Sequence, residues 1–207
     1  MEDLIVVIRY GLVAVGLWIV SRWWDLWRAR KQRQDDRETF IRALFAEIEF
    51  NTIDLLRFIE TKPDLKVFED LFQNPSFVPH ITDARHTDVY RSRITELHAV
   101  SEYLIADVVR FYGDLEKIKA QIDGLQHESF RRISVKGRVG TMANMYDTIK
   151  GSAELGAAII ACMEVDYTHL QLKRRAPLAR LILDNDELQE RLQALESDLD
   201  RVRARHR

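Results

Sequence analysis

The chain has 207 residues, with 31 basic and 33 acidic side chains and a formal net charge of −2, which excludes a polyanion binder held by bulk charge. Eight glycines and four prolines are few for this length, and the abundance of Leu, Ala, Glu, Asp, Lys and Arg is that of long helices and not of a sheet. The single cysteine, Cys162, excludes an internal disulfide and fits a reducing compartment.

The first element is the apolar run Leu4–Val20, followed at once by aromatic and basic residues. A helix needs roughly 20 mainly apolar residues to cross a bilayer. Arg9 is the one charge inside the run, close enough to its beginning to reach the outer interface by snorkelling. All four tryptophans, Trp18, Trp23, Trp24 and Trp27, fall in one short stretch and mark the headgroup level at one membrane edge. Arg22, Arg28, Arg30, Lys31 and Arg33 follow, opposed only by Asp25, whereas Glu2 and Asp3 sit on the other flank. The positive-inside rule then puts the N-terminus outside and the rest of the chain in the cytoplasm, as a single-pass protein of the cell's inner (plasma) membrane. A cleaved signal peptide would carry its positive charge before the apolar run, and an interfacial helix would show a polar face; neither pattern is present.

The organisation expected is an anchor over residues 1–27, a basic juxtamembrane linker over 28–37, a helical bundle domain over 38–176 and a C-terminal heptad helix with an Arg-rich end over 177–207. The fold class is all-α: one transmembrane helix and a cytosolic bundle of long antiparallel helices, with a short coiled-coil-like helix at the C-terminus.

Within the bundle, Ile41, Leu44, Phe45, Ile48, Leu55, Phe58 and Ile59 recur at helical spacing, and Pro63 ends that helix. Asn51 lies on its apolar face with Glu47 one turn before it, a buried polar pair that must find partners. Residues 62–87 form an irregular connector with helical turns near Asp64–Phe72. His80, Asp83, His86 and Asp88 occur here, but in no zinc-binding spacing, so neither metal nor cofactor is expected; Thr87 or Asp88 is positioned to cap the next helix. The second helix is expected over 88–124, on a heptad pattern from Tyr90 to Leu125 broken only at Ser101. A basic break follows: Arg131, Arg132, Lys136 and Arg138 lie together with no acid among them, a candidate contact for an anion or lipid headgroup. The third helix is expected from about Thr141 to Arg175. Ala153, Ala157 and Ala161 form a small-residue stripe on it that lets a neighbour approach, and it should pair with the second helix as an antiparallel hairpin. Leu188, Leu192, Leu195 and Leu199 complete a short heptad series suited to docking or weak self-assembly.

If successive helices alternate in direction, the Arg131–Arg138 break and the Arg-rich C-terminus face the membrane. With no HExxH, GxSxG or CxxC signature, the function expected is non-enzymatic. The helical domain assembles with itself or with a protein partner at the bilayer, a class that includes membrane-disturbing defence or toxicity effectors; no specific nucleic acid is expected. The alternative is a membrane-tethered sensor that binds a small anionic ligand through the basic break.

Overall fold

The structure, a computed structural model, describes the backbone of residues 2–183, 186, 189–190 and 192–194, and side chains at 18, 21–182, 186, 189–190 and 192–194. The described chain is all-α, with no strand. It forms two compact units, Met1–Phe40 and Ile41–Arg207.

The first unit is the N-terminal part of α1 (Glu2–Thr61). Residues 28–37, expected as a short juxtamembrane linker or as a solvated extension of the first helix, are helical here, and residues 21–37 are exposed throughout. Local bonds support the polar stretch: Gln34 Nε2 donates to Glu38 Oε1 at 3.1 Å and Thr39 Oγ1 to Asp35 O at 2.8 Å. Among the described residues no helix is long and apolar enough to cross a membrane. The side chains of the expected anchor, Leu4–Val20 with Arg9, lie outside the described residues except for Trp18.

The second unit is built on three long segments. The C-terminal part of α1 stops at Thr61, just before Pro63, and α2 (Leu65–Leu71) starts anew under an Asp64 carboxylate that accepts from Lys66 N at 3.0 Å. After the connector come α3 (Asp88–Ser92) and a 3-10 turn, Ile94–Ala99. Then follow α4 (Glu102–Gln126), α5 (Glu128–Arg132), α6 (Val135–Asp166), a 3-10 turn at Thr168–Leu170, and α7 (Ala176–Leu183). Pro177 sits in the first turn of α7, where its missing N–H costs nothing.

The continuous helix expected over 88–124 is therefore broken, and Ser101 is where the break falls. Val100 and Ser101 are extended, with ψ of 151° and 133°. Ser101 N donates to Tyr167 Oη at 2.8 Å and Ser101 Oγ to Asp166 Oδ2 at 2.7 Å, so tertiary partners take the groups that an unbroken helix would have used. The third helix likewise ends at Asp166, short of the expected Arg175. The segment after it is tied down by carboxylates: Arg174 N donates to Glu164 Oε1 at 3.0 Å and Arg174 Nε to Glu164 Oε2 at 2.7 Å, while Arg175 Nε lies 3.1 Å from Glu49 Oε2.

α4 and α6 form the expected antiparallel hairpin, with the start of α4 held at the end of α6 through Ser101. α1 is also antiparallel to α6: Arg42 Nη1 donates to Leu170 O at 2.7 Å, Thr52 lies against Gly156, and Phe58 packs edge-on to Tyr146 at 5.7 Å. α1 and α4 consequently run in the same direction, because residues 62–101 return the chain along the bundle before α4 begins. Strict alternation of direction does not hold. Within this unit the Arg131–Arg138 break lies with Thr61 and Phe72 at the end remote from Ile41, not at the end where α1 begins its course through the core.

The small residues of α6 explain the close approach of its neighbours. Ala153, Ala157 and Ala161 are buried, and a Cβ on Gly156 would meet Thr52 Oγ1 at 2.2 Å and Phe111 Cε2 at 2.7 Å. Around this seam Ile41, Leu44, Ile48, Leu104, Val108, Phe111, Met142, Met145 and Ile160 are essentially inaccessible, and they set the core.

Candidate functional site

The connector carries long stretches of backbone with no helix of its own, so its polar groups need partners from elsewhere. α1 supplies them. Asn51 Nδ2 donates to His86 O at 2.6 Å, and Asn51 Oδ1 accepts from His86 N at 2.7 Å. The amide thus closes both main-chain groups of one residue, as a neighbouring strand would. Its remaining donor geometry is used by Glu47 O at 3.0 Å. One turn earlier, Glu47 Oε2 accepts from Val89 N at 2.7 Å and Glu47 Oε1 from Tyr90 N at 3.0 Å. These are first-turn amides of α3. Thr87 holds the N-cap position but its side chain makes no cap bond, and a carboxylate from α1 does this work instead. The expected local cap by Thr87 or Asp88 is thereby corrected.

Tyr112 of α4 completes the cluster. Its hydroxyl donates to Glu47 Oε1 at 2.6 Å, and its ring stacks on Tyr90 at 3.9 Å and 6°. Burial, and then the facing Glu47 carboxylate, raise the Tyr112 phenol far above its ordinary value, so it stays protonated as a donor. Each polar group here is committed to another, which makes this a clamp on the connector.

Beside the clamp lies a cavity of about 110 Å³. Leu55, Phe58, Leu115, Ile118, Ile122 and Ile149 supply apolar walls from α1, α4 and α6; residues 81–85 of the connector cross it as a strap. Asn51, Asp54, Asp83 and Arg85 bring polar groups to its lining. Arg85 fastens the strap from the side opposite Asn51: Nη1 lies 2.6 Å from Glu116 Oε2, and Nε 3.1 Å from Asp83 Oδ2. Arg91 Nη2 approaches the other oxygen of Glu116 at 2.5 Å. The hydrogen bond from Arg85, reinforced by the charges of Arg85 and Arg91, holds the Glu116 carboxyl below its ordinary value of 4.5. Asp54 is half-buried and has neither ion pair nor hydrogen bond among the described residues.

The basic break is not a single patch. Arg131, Arg132 and Lys136 are exposed, and Arg132 pairs with Glu128 at 2.5 Å. Arg138 is 3% exposed: its Nη2 donates to Phe72 O and its Cζ stands 4.9 Å over the Phe72 ring. Once α6 starts at Val135, two residues of helix separate Lys136 from Arg138 by roughly 200°, which turns one out and the other in. Ser134 caps this helix, accepting from Gly137 N at 3.2 Å.

All four tryptophans are exposed: Trp18 and Trp23 at 67%, Trp24 at 56% and Trp27 at 48%. Trp24 and Trp27 lie 5.4 Å apart, and Lys31 Nζ is 5.7 Å from the Trp27 ring. Of the heptad leucines, Leu192 is helical and buried, while Leu188, Leu195 and Leu199 lie outside the described residues. No group of three or more metal-ligating side chains occurs among the described residues. His86 instead sets its ring edge-on against Phe50 at 4.3 Å.

Sequence reasoning located Glu47 and Asn51 because a polar pair interrupts an apolar helical face. It missed Arg85, Glu116 and Tyr112, whose roles depend on which residues the connector brings opposite α1 and α4. Glu49, Glu164 and Asp166 were missed as well; their spacing carries no signal before the turn at 167–175 is in place. No protein-family model matches the chain, and no curated protein or solved structure matches it either.

Proposed function

We propose that the protein is a non-enzymatic, single-pass membrane protein whose helical module binds itself or a protein partner at the bilayer. The observation that carries this reading is the set of four exposed tryptophans, one within the last turn of the apolar run Leu4–Val20 and three directly after it. Indoles combine a large apolar body with one polar N–H and are stabilised at the headgroup level. The basic residues that follow are matched to an anionic cytoplasmic leaflet, and they orient the module to the cytoplasmic side.

In the module, buried Glu47, Asn51 and Glu49 and half-buried Glu164 are engaged in holding main chain: Glu47 on α3, Asn51 on His86, and Glu49 and Glu164 on residues 174–175. Such a domain is suited to present a fixed surface. Assembly through Leu188, Leu192, Leu195 and Leu199 would then concentrate copies at the membrane, and an effector that disturbs the bilayer after assembly belongs to the same class.

Because all the tryptophans lie between 18 and 27, intrinsic tryptophan fluorescence reports on this border alone. Full-length protein reconstituted in vesicles with brominated acyl chains should show strong quenching that persists in high salt. Unquenched emission would remove the anchor. Cross-linking in native membranes, with and without residues 184–207, tests assembly: a discrete oligomer lost on truncation assigns it to the C-terminal heptads.

A second reading, the ligand sensor, is favoured by the cavity under the strap and not by the basic break, whose four cations do not converge.

A further inference from the structure

We infer that the cavity beneath residues 81–85 is a binding site for a small organic cation, a compact apolar body bearing a protonated amine. The inference concerns the folded module alone and stands whether or not the chain is anchored in a membrane.

Three observations converge. The first is the space itself. Packed cores leave few voids larger than a water, yet about 110 Å³ stays open here between three helices and a strap. An enclosed apolar cavity of on the order of 150 Å³ holds a benzene-sized molecule; this one is smaller but only partly enclosed, so a ligand of that size fills it and projects toward solvent. The second is the wall chemistry. Phe58, Leu115, Ile118, Ile122 and Ile149 offer an apolar, partly aromatic surface, joined by a few polar groups from α1 and the strap, which is the usual composition of a small-molecule pocket.

The third is charge. The ionisable groups in the lining are Asp54, Asp83 and Arg85. The Arg85 guanidinium is ion-paired with Asp83 and with Glu116, which Arg91 shares, although its buried Nη1 completes no hydrogen bond among the described residues. Asp123, further along α4, is paired with Lys119 at 2.8 Å. Of the two carboxylates in the lining, Asp54 has no counter-ion among the described residues. An anion would meet uncompensated negative charge, a neutral ligand would leave it as it is, and an ammonium group would pair with it in a half-buried setting where screening by water is reduced.

The strap makes occupancy visible to the rest of the molecule. Residues 81–85 line the cavity, and His86, Val89 and Tyr90 immediately after them are held by Asn51 and Glu47. A ligand against Ile81 and Ala84 therefore bears on the segment that begins α3.

The test uses the full chain in detergent micelles with isoleucine methyl labelling and three probes of similar size: benzylamine, toluene and benzoate. Benzylamine is expected to shift the methyl signals of Ile118, Ile122 and Ile149 and leave those of Ile41 and Ile160, which lie outside the lining, in place. Benzoate should bind more weakly than toluene. Asp54→Asn should weaken benzylamine about fivefold and leave toluene unaffected, the size expected of one ion pair. Ile118→Phe, which fills the space, should abolish all binding; Ile122→Phe does the same from the neighbouring turn if the first variant does not fold. Cavity methyls that none of the probes moves would overturn the site. Equal binding of benzylamine and toluene, unchanged in Asp54→Asn, would overturn its preference for a cation.

Discussion

Residues 79–87 and residues 127–134 both interrupt the long helices, the first within the irregular connector expected over 62–87 and the second at the expected basic break. Their support is opposite. The 127–134 break satisfies itself: Phe130 N donates to His127 O at 3.0 Å, Ile133 N to Phe130 O at 3.3 Å, Ser134 caps α6, and Phe130 drops into the core against Phe72. The strap's local support is the Asp83 carboxylate, which accepts from Arg85 N at 3.3 Å and from Arg85 Nε at 3.1 Å. The groups that hold it come from α1 and α4, which are 35 or more residues away for Asn51 and Glu47. A short break between antiparallel partners can close with i→i+3 bonds. A long return crossing lies against helices whose own backbone is already bonded, so only their side chains can hold it.

Substitutions that remove the remote supports should therefore cost far more than those that remove local ones. The largest expected effect is Glu47→Ala. It leaves Val89 N, Tyr90 N and the Tyr112 hydroxyl without their acceptor, which should cost about 3 kcal/mol in urea unfolding and open Arg85 to trypsin. Asn51→Ala strands the N–H and C=O of His86 and should cost about 2 kcal/mol, with faster amide exchange confined to the strap and α3. Either variant unfolding with wild-type stability would mean that the strap is not held from α1.

Acid sharpens the comparison on the other side of the strap. Arg85 lowers the Glu116 carboxyl in the folded state, so the stability contributed by this pair is complete above the ordinary value of 4.5 and is lost as pH falls through the lower folded value. Exchange at residues 81–86 should accelerate over that acid range in the native protein and be already fast, without this step, in Glu116→Gln. The smallest effect belongs to the local break: Arg132→Ala removes an exposed i,i+4 pair with Glu128 and should change stability by no more than about 0.5 kcal/mol.

The residues that tell these two breaks apart were only partly legible. Asn51 and Glu47 stand out in the sequence because Ile48 and Leu55 flank them on an apolar face, which forces a buried partner without naming it. Ser101 stands out as the one gap in a heptad series, and the chain does break there. The cluster Arg131, Arg132, Lys136 and Arg138 misleads, since adjacency in sequence says nothing of which way each points once a helix begins at Val135. The cavity has no sequence signature, because its walls are ordinary core residues of three helices and only the path of the strap leaves space between them.

What short-range physics controls was legible in the sequence: an all-α chain, Pro63 as a helix boundary, an antiparallel pairing of α4 with α6, and small residues where that pairing is tight. The tertiary structure decided what depends on the course of the long connector. It set α1 parallel to α4, carried the basic break to the end of the module remote from Ile41, and brought His86, Val89 and Tyr90 to Glu47 and Asn51. The reason is that a crossing of this length has no preferred direction of its own; the buried acceptors and donors waiting on α1 select the one path that satisfies them.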